Sequence, residues 1–195
     1  YDAGINGKSY TSTVFGQWQN IVLGDENNDF VFGGHTPTQQ SFYAITVDRS
    51  KFKGNIFPST LDLRISGSGA FTLRLTDNSK DVSTVTFNEA GRVFQIVSGS
   101  NGEAVGSGPT PSDAVANGMT ASGSYGLFLP DIGTILLNAA ALDLATAGGG
   151  PEIGTLFNSN TADNNAGRLF SRINSAGNFT LNSQETINKL NRVSR

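Results

Sequence analysis

The feature that most constrains how this chain can fold is the run Tyr125-Gly126-Leu127-Phe128-Leu129-Pro130-Asp131-Ile132-Gly133-Thr134-Ile135-Leu136-Leu137-Asn138. Two short apolar segments flank Pro130-Asp131-Ile132-Gly133. Proline presets φ for the first central position of a turn, and glycine accepts the conformation that closes it. The segments are too short for helices, and Pro130 would break one. Neither segment alternates with polar residues, so both faces should be covered. The expectation is strand, tight turn, strand, at the buried centre of the fold.

The chain has 195 residues, enough for one domain with a substantial core. Charged residues are 15%, Gly numbers 24, and Cys is absent. The missing Cys excludes disulfides, thiolate metal sites and cysteine nucleophiles. A formal net charge of −3 gives no basic footprint for nucleic acid or an anionic membrane surface. No apolar run reaches the ~18 residues of a membrane-spanning helix. The chain opens at Tyr1 rather than Met, which leads us to expect a processed product or part of a longer protein. Low charge, many turn residues and β-branched runs suit a particle or surface β-protein.

Residues 1–8 are Gly- and Asn-rich and are expected to form an N-terminal arm. Val14, Trp18, Ile21 and Val22 recur at helical spacing, with residues 11–13 as N-cap and Gly24 as stop, which predicts three turns anchored by Trp18. Asp25, Asn27 and Asp29 have the 1-3-5 spacing of a calcium loop, but Phe30 and Thr36 stand where that loop needs Gly and Glu. A solvated Asx turn is therefore expected. Gly33-Gly34-His35-Thr36-Pro37 reads as a flexible connector.

Alternation then predicts strands over 42–48, 61–66 and 71–76. A three-residue loop at 67–69 would set Leu61 opposite Leu75, Leu63 opposite Leu73 and Asp62 opposite Arg74. A weaker strand is expected over 82–87 and another over 92–97. Residues 98–124 read as a long surface loop, residues 139–147 and 164–175 as helices, and 179–181 as a strand. Residues 182–185 could cap a helix running through Ile187 and Leu190. The basic tail 188–195 reads as a C-terminal arm. The predicted class is β-rich α+β, an antiparallel sheet or sandwich-like core in a single domain over 9–187, with few helices and long loops or arms.

Catalytic signatures are scarce. Gly-x-Ser-x-Gly, Gly-x-Gly-x-x-Gly and Walker patterns are missing. One His, His35, cannot build a multi-His metal centre. Asp48, Asp62, Asp77, Asp81 and Asp131 are the carboxylates near strand ends from which a glycosidase pair could be drawn. Asp131 is also explained by its place in a turn. The expectation is no enzyme, no catalytic, cofactor-binding or metal-ligating residue, and no cofactor.

Several runs carry a resemblance. Gly24-Asp25-Glu26-Asn27-Asn28-Asp29-Phe30-Val31-Phe32-Gly33-Gly34, Ala90-Gly91-Arg92-Val93-Phe94-Gln95-Ile96-Val97-Ser98-Gly99 and Ser124-Tyr125-Gly126-Leu127-Phe128-Leu129-Pro130-Asp131-Ile132-Gly133 resemble segments of virion structural proteins from contractile-tailed cyanophages and related marine phages. The resemblance extends over most of residues 16–187. It implies a particle component, tail or baseplate before capsid, located in the virion. The implied partners are other virion proteins and copies of itself, a homo-oligomer without nucleic acid or membrane. A glycan-binding or glycan-cleaving tail module and a capsid decoration protein are the alternatives.

Overall fold

The computed structural model describes residues 10–38, 40–67, 69–105, 118–153, 162–176, 179–181 and 189–194. In chain order the elements are helix α1 (Tyr10–Leu23), strands β1 (Ser41–Thr46), β2 (Leu61–Ser66), β3 (Thr72–Asp77), β4 (Thr86–Asn88), β5 (Gly91–Ser100), β6 (Glu103–Ala104), β7 (Gly126–Leu129) and β8 (Thr134–Asn138), helices α2 (Ala139–Leu142) and α3 (Ala162–Ser175), and strands β9 (Phe179–Leu181) and β10 (Lys189–Ser194). The expected β-rich α+β fold forms as one antiparallel sheet in the order β10-β1-β8-β7-β5-β3-β2-β9. Strands β4 and β6 are short ribbons paired to the two ends of β5. Helix α3 packs against both β2 and β10, which lie near opposite ends of that order, so the sheet is curled.

The predicted centre is where the sequence put it. Strands β7 and β8 pair Phe128 with Ile135 and Leu127 with Leu136 around the Pro130–Gly133 turn, and every residue of both strands is buried. Alternate residues serve two cores. Phe128, Ile135 and Leu137 join Tyr43, Ile45, Leu63, Leu75 and Ile96 inside the curl, with Leu169 and Ile173 of α3. Leu127, Leu129 and Leu136 face the outer side with Phe42 and Ala44.

That outer side is covered by α1, through a face that differs from the expected one. Phe15, Gln19 and Val22 are buried, Trp18 is half-buried and Ile21 is 49% exposed. The helix starts at Tyr10, earlier than expected, and ends at Gly24, whose φ of 75° is left-handed. The stretch after it is no flexible connector. Phe30 is fully buried against Phe15 and Phe42, Phe32 is fully buried and stacks on Phe30, and Gly33 and Gly34, at φ 57° and 80°, form a tight turn closed by Phe32 and His35.

The β2–β3 hairpin keeps the predicted apolar face but shifts its register by two. Leu63 faces Leu75 and Ile65 faces Leu73, because Gly67 stays in the ladder and its N–H donates to Phe71 O at 2.8 Å. Gly67 is held there by α3, since Arg172 Nη1 donates to Gly67 O at 2.6 Å. A Cβ at Gly67 would lie 2.5 Å from the Phe71 ring. Arg64, not Asp62, therefore stands opposite Arg74. The Asp62 carboxylate bridges the two like charges, accepting from Arg74 at 2.9 Å and from Arg64 at 3.2 Å. Burial pushes the Asp62 carboxyl up, but the hydrogen bonds from Arg74 and then Arg64 outweigh it and hold the group below its usual range.

Three further expectations change. The strand expected over 82–87 is only Thr86–Asn88. The long loop expected over 98–124 holds regular structure where it is described, residues 106–117 lying outside the described residues. Asn101 and Gly102, at φ 56° and 82°, make a two-residue hairpin between β5 and β6, and Gly118 O accepts from the Ser98 N–H at 2.7 Å. The tail expected as an arm instead supplies β10, which pairs along the whole of β1, and Leu190 lies in that strand rather than in a helix. The physical reason is β1 itself: it is buried on both faces and would otherwise leave an open edge. The expected N-terminal arm, residues 1–8, and the capping segment 182–185 lie outside the described residues.

Candidate interaction surface

The five carboxylates considered for catalysis do not converge on one cleft; each serves its own local structure. Asp48 caps the 3-10 turn Arg49–Lys51, accepting from the Ser50 N–H. Asp62 holds Arg64 and Arg74 on the wet face of the sheet. Asp77, fully buried, accepts backbone N–H groups from Ser59 at 2.9 Å and Ser79 at 3.1 Å. Asp81 accepts from the Ala104 N–H at 2.7 Å. Asp25 forms the expected Asx turn, accepting the Asn27 N–H at 2.9 Å. His35 is exposed, and its backbone closes the turn with Phe32.

Asp131 does more than its turn requires. Its carboxylate clamps Arg92 on β5: Nη2 donates to Oδ1 at 2.6 Å and the Arg92 backbone N–H donates to Oδ2 at 2.8 Å. The clamp explains Gly91, since a Cβ there would lie 2.5 Å from an Asp131 carboxylate oxygen. The hydrogen bonds from Arg92 hold the Asp131 carboxyl below its usual range, against a smaller opposing effect of burial, and Arg92 is raised in return. A depressed carboxyl stabilises the fold above its unfolded pKa, near 4, and loses that contribution as pH falls through the folded value. Asp131→Asn should therefore cost up to about 1 kcal/mol at neutral pH, the upper end for a partly exposed pair. The difference from wild type should shrink as pH falls below the ordinary carboxylate range and through the depressed folded value, as measured by urea midpoints at neutral and at acid pH.

Four apolar side chains on segments tied to this clamp are exposed. Phe57 is 68% exposed and Phe87 is 69% exposed; Val85 and Ile132 are each 38% exposed. These residues sit on three segments fastened together. Phe87 stands directly opposite Arg92 in the β4–β5 ribbon, Arg92 is clamped by Asp131, and Ile132 follows in the same turn. The Ile56 N–H donates to Pro130 O at 3.0 Å, which sets Phe57 beside that turn. Most other aromatics among the described residues, Phe15, Phe30, Phe32, Phe42, Phe128 and Tyr43 included, are inside the cores. Sequence inspection missed this surface because Phe57 lies outside every expected strand and Phe87 sits at the end of a weak one, with nothing local to show that the two come together.

Two open grooves lie elsewhere. One, of about 410 Å³, is lined by Phe71, Arg74, Ser98, Ser100, Val105 and Tyr125 among others. Burial pushes the Tyr125 phenol up to about 12, and its hydroxyl donates to Gly149 O. The other, of about 580 Å³, follows α3 along Ile153, Gly167, Arg168, Ser171 and Arg172. No Asp or Glu stands among the described residues lining either groove. Among the described residues no cluster of three or more His, Cys, Asp or Glu could hold a metal ion, and no helix is long and apolar enough to cross a membrane.

Among the described residues the fold is that of a small β-rich domain, a curled antiparallel sheet with three short helices and exposed apolar side chains at one end. Comparison with known protein families, with curated proteins and with solved structures gives no match.

Proposed function

We propose that the chain is a structural component of a phage virion, of tail or baseplate type, acting through contacts between subunits rather than through chemistry. The observation that carries this reading is the exposed apolar end, where Phe57 and Phe87 remain mostly in water. Contiguous exposed apolar side chains mark interaction sites more often than chance placement does. The sequence runs that resemble tailed-phage virion proteins supply the setting. The engaged state of Asp48, Asp62, Asp77, Asp81 and Asp131 supports a scaffold role. A glycan-cleaving module would need paired carboxylates in a groove. The test is mass spectrometry of density-purified particles from infected cells. The chain should co-purify with the particles at a fixed ratio to their other structural proteins. Its confinement to the soluble, particle-free fraction would overturn the reading.

A further inference from the structure

The exposed apolar end has a charge pattern that its apolar content alone does not explain. Its centre is electrically neutral, because Arg92 and Asp131 cancel each other within it. On one side runs a basic segment with exposed Arg49, Lys51 and Lys53. That segment is fastened to the turn by the Val47 N–H, which donates to Gly133 O at 2.9 Å, and by the Phe52 ring, which fills the space over Gly133. On the other side stands exposed Glu89, in the β4–β5 turn, with its Cγ 2.9 Å from where a Cβ on Gly24 would sit. Gly24 leads directly into the exposed acidic stretch that begins at Asp25. The surface thus reads basic, apolar and neutral, acidic.

We propose that this end is a self-complementary interface through which two copies of the chain associate about a two-fold axis. The proposal rests on the subunit-contact reading above and names the partner and the symmetry of that contact. A two-fold axis through the neutral centre brings the basic flank of each copy onto the acidic flank of the other. A partner carrying charge of one sign would be drawn to one flank and repelled by the other. A second copy meets opposite charge on both sides. The two-fold arrangement is also the commonest closed symmetry among homo-oligomers, and its contact is isologous. The area is sufficient to seed such a contact. At their observed exposures, Phe57 and Phe87 each leave on the order of 100–170 Å² in water. With Val85 and Ile132 they form the apolar centre of a patch whose rim the charged flanks complete. A standard interface covers about 800 Å² per partner with such a centre and a polar rim. Aromatic anchors at the centre are where binding energy concentrates.

Sedimentation velocity of the full chain over a wide range of concentration tests the proposal. A monomer–dimer equilibrium is expected, weakened by salt because opposed flanks contribute. Phe57→Ser and Phe87→Ser should each weaken dimerisation at least about tenfold. Phe170→Ser, at an exposed aromatic of α3, which packs on β2 and β10, should leave it unchanged. Charge reversal provides an arm that does not depend on the aromatic variants folding. Lys51→Glu with Lys53→Glu should weaken the dimer, and adding Glu89→Lys should recover part of that loss, since it sets one positive charge against the newly negative flank. A chain that stays monomeric throughout overturns the proposal, as does a dimer indifferent to Phe57 and Phe87 or a larger closed ring. A chain that co-purifies with particles yet remains monomeric in solution removes the two-fold contact and leaves the virion reading standing.

Discussion

Gly126→Ala is expected to abolish stable folding, or to lower stability by at least about 4 kcal/mol, the far tail of single substitutions. Gly126 opens β7 and pairs with Leu137 in the buried middle of the sheet. A Cβ at this position would lie 2.1 Å from the Leu136 carbonyl oxygen. No flexible side chain can yield there, because the obstructing atom belongs to the backbone of the paired strand. Relief requires β7 and β8 to separate, and each is buried on both faces. Interior packing is too dense to absorb such a shift locally. Urea denaturation followed by circular dichroism measures the effect. Gly167→Ala is the control. Gly167 lies within α3, and nothing stands within 4 Å of the added methyl. That substitution should stabilise the protein by about 0.5–1 kcal/mol, the ordinary gain of Ala over Gly in a helix. A Gly126→Ala protein with wild-type stability would show that β7 and β8 are not paired as described.

Phe42→Ala should cost about 3–5 kcal/mol. Phe42 is fully buried and forms the hub of the outer core. Its ring centroid lies 4.8 Å from Phe30, 5.4 Å from Phe15 and 6.4 Å from Trp18. Removing the ring leaves a cavity under α1 and takes away three aromatic contacts, each worth about 0.5–1.5 kcal/mol beyond area burial. The inner core does not touch this site, so the sheet should survive while α1 and the Phe30–Phe32 segment loosen. Trp18 is the only tryptophan, so its fluorescence reports on that loosening alone. Its emission should shift to the red at denaturant concentrations where the far-ultraviolet signal is still native. Coincident loss of both signals would show that the two cores unfold as one unit.

The sequence was readable where the pattern was local and the chemistry of a turn was decisive. Pro130 through Gly133 specified a hairpin, and the unbroken apolar runs beside it specified a strand pair buried on both faces. The side-chain parity of β2 and β3 was equally plain. Their register was not, because it depends on Arg172, more than a hundred positions away, gripping the Gly67 carbonyl. Two hairpin signals were present and overlooked. Gly33-Gly34 and Asn101-Gly102 are both dipeptides that accept two successive positive φ values. Reading them as turns rather than as loop composition would have placed Phe32 in the core and extended β5 to Ser100. The strand at 189–194 carries a weak pattern of its own. Its place follows from the open edge of β1, which is a property of the assembled sheet. The apolar end was the least legible. Phe57 and Phe87 become conspicuous only once the clamp between Arg92 and Asp131 brings their segments together.

The pairing of β1 sets the order of events when the chain folds. Its two neighbours, β8 and β10, come from the distant remainder of the sequence. Long-range pairings of this kind are slow to form, because loop-closure entropy must be met before any contact rewards it. During synthesis β1 emerges well before either neighbour, an apolar ribbon whose one edge stays bare until β8 follows and whose other edge stays bare until β10 follows. Ser41–Thr46 is then a template for any other extended segment nearby, including the same strand on a neighbouring nascent chain. A ribosome loaded with this message therefore carries its greatest risk of aggregation in the interval before residues 189–194 appear, and β10 acts in the finished protein as the seal on that edge.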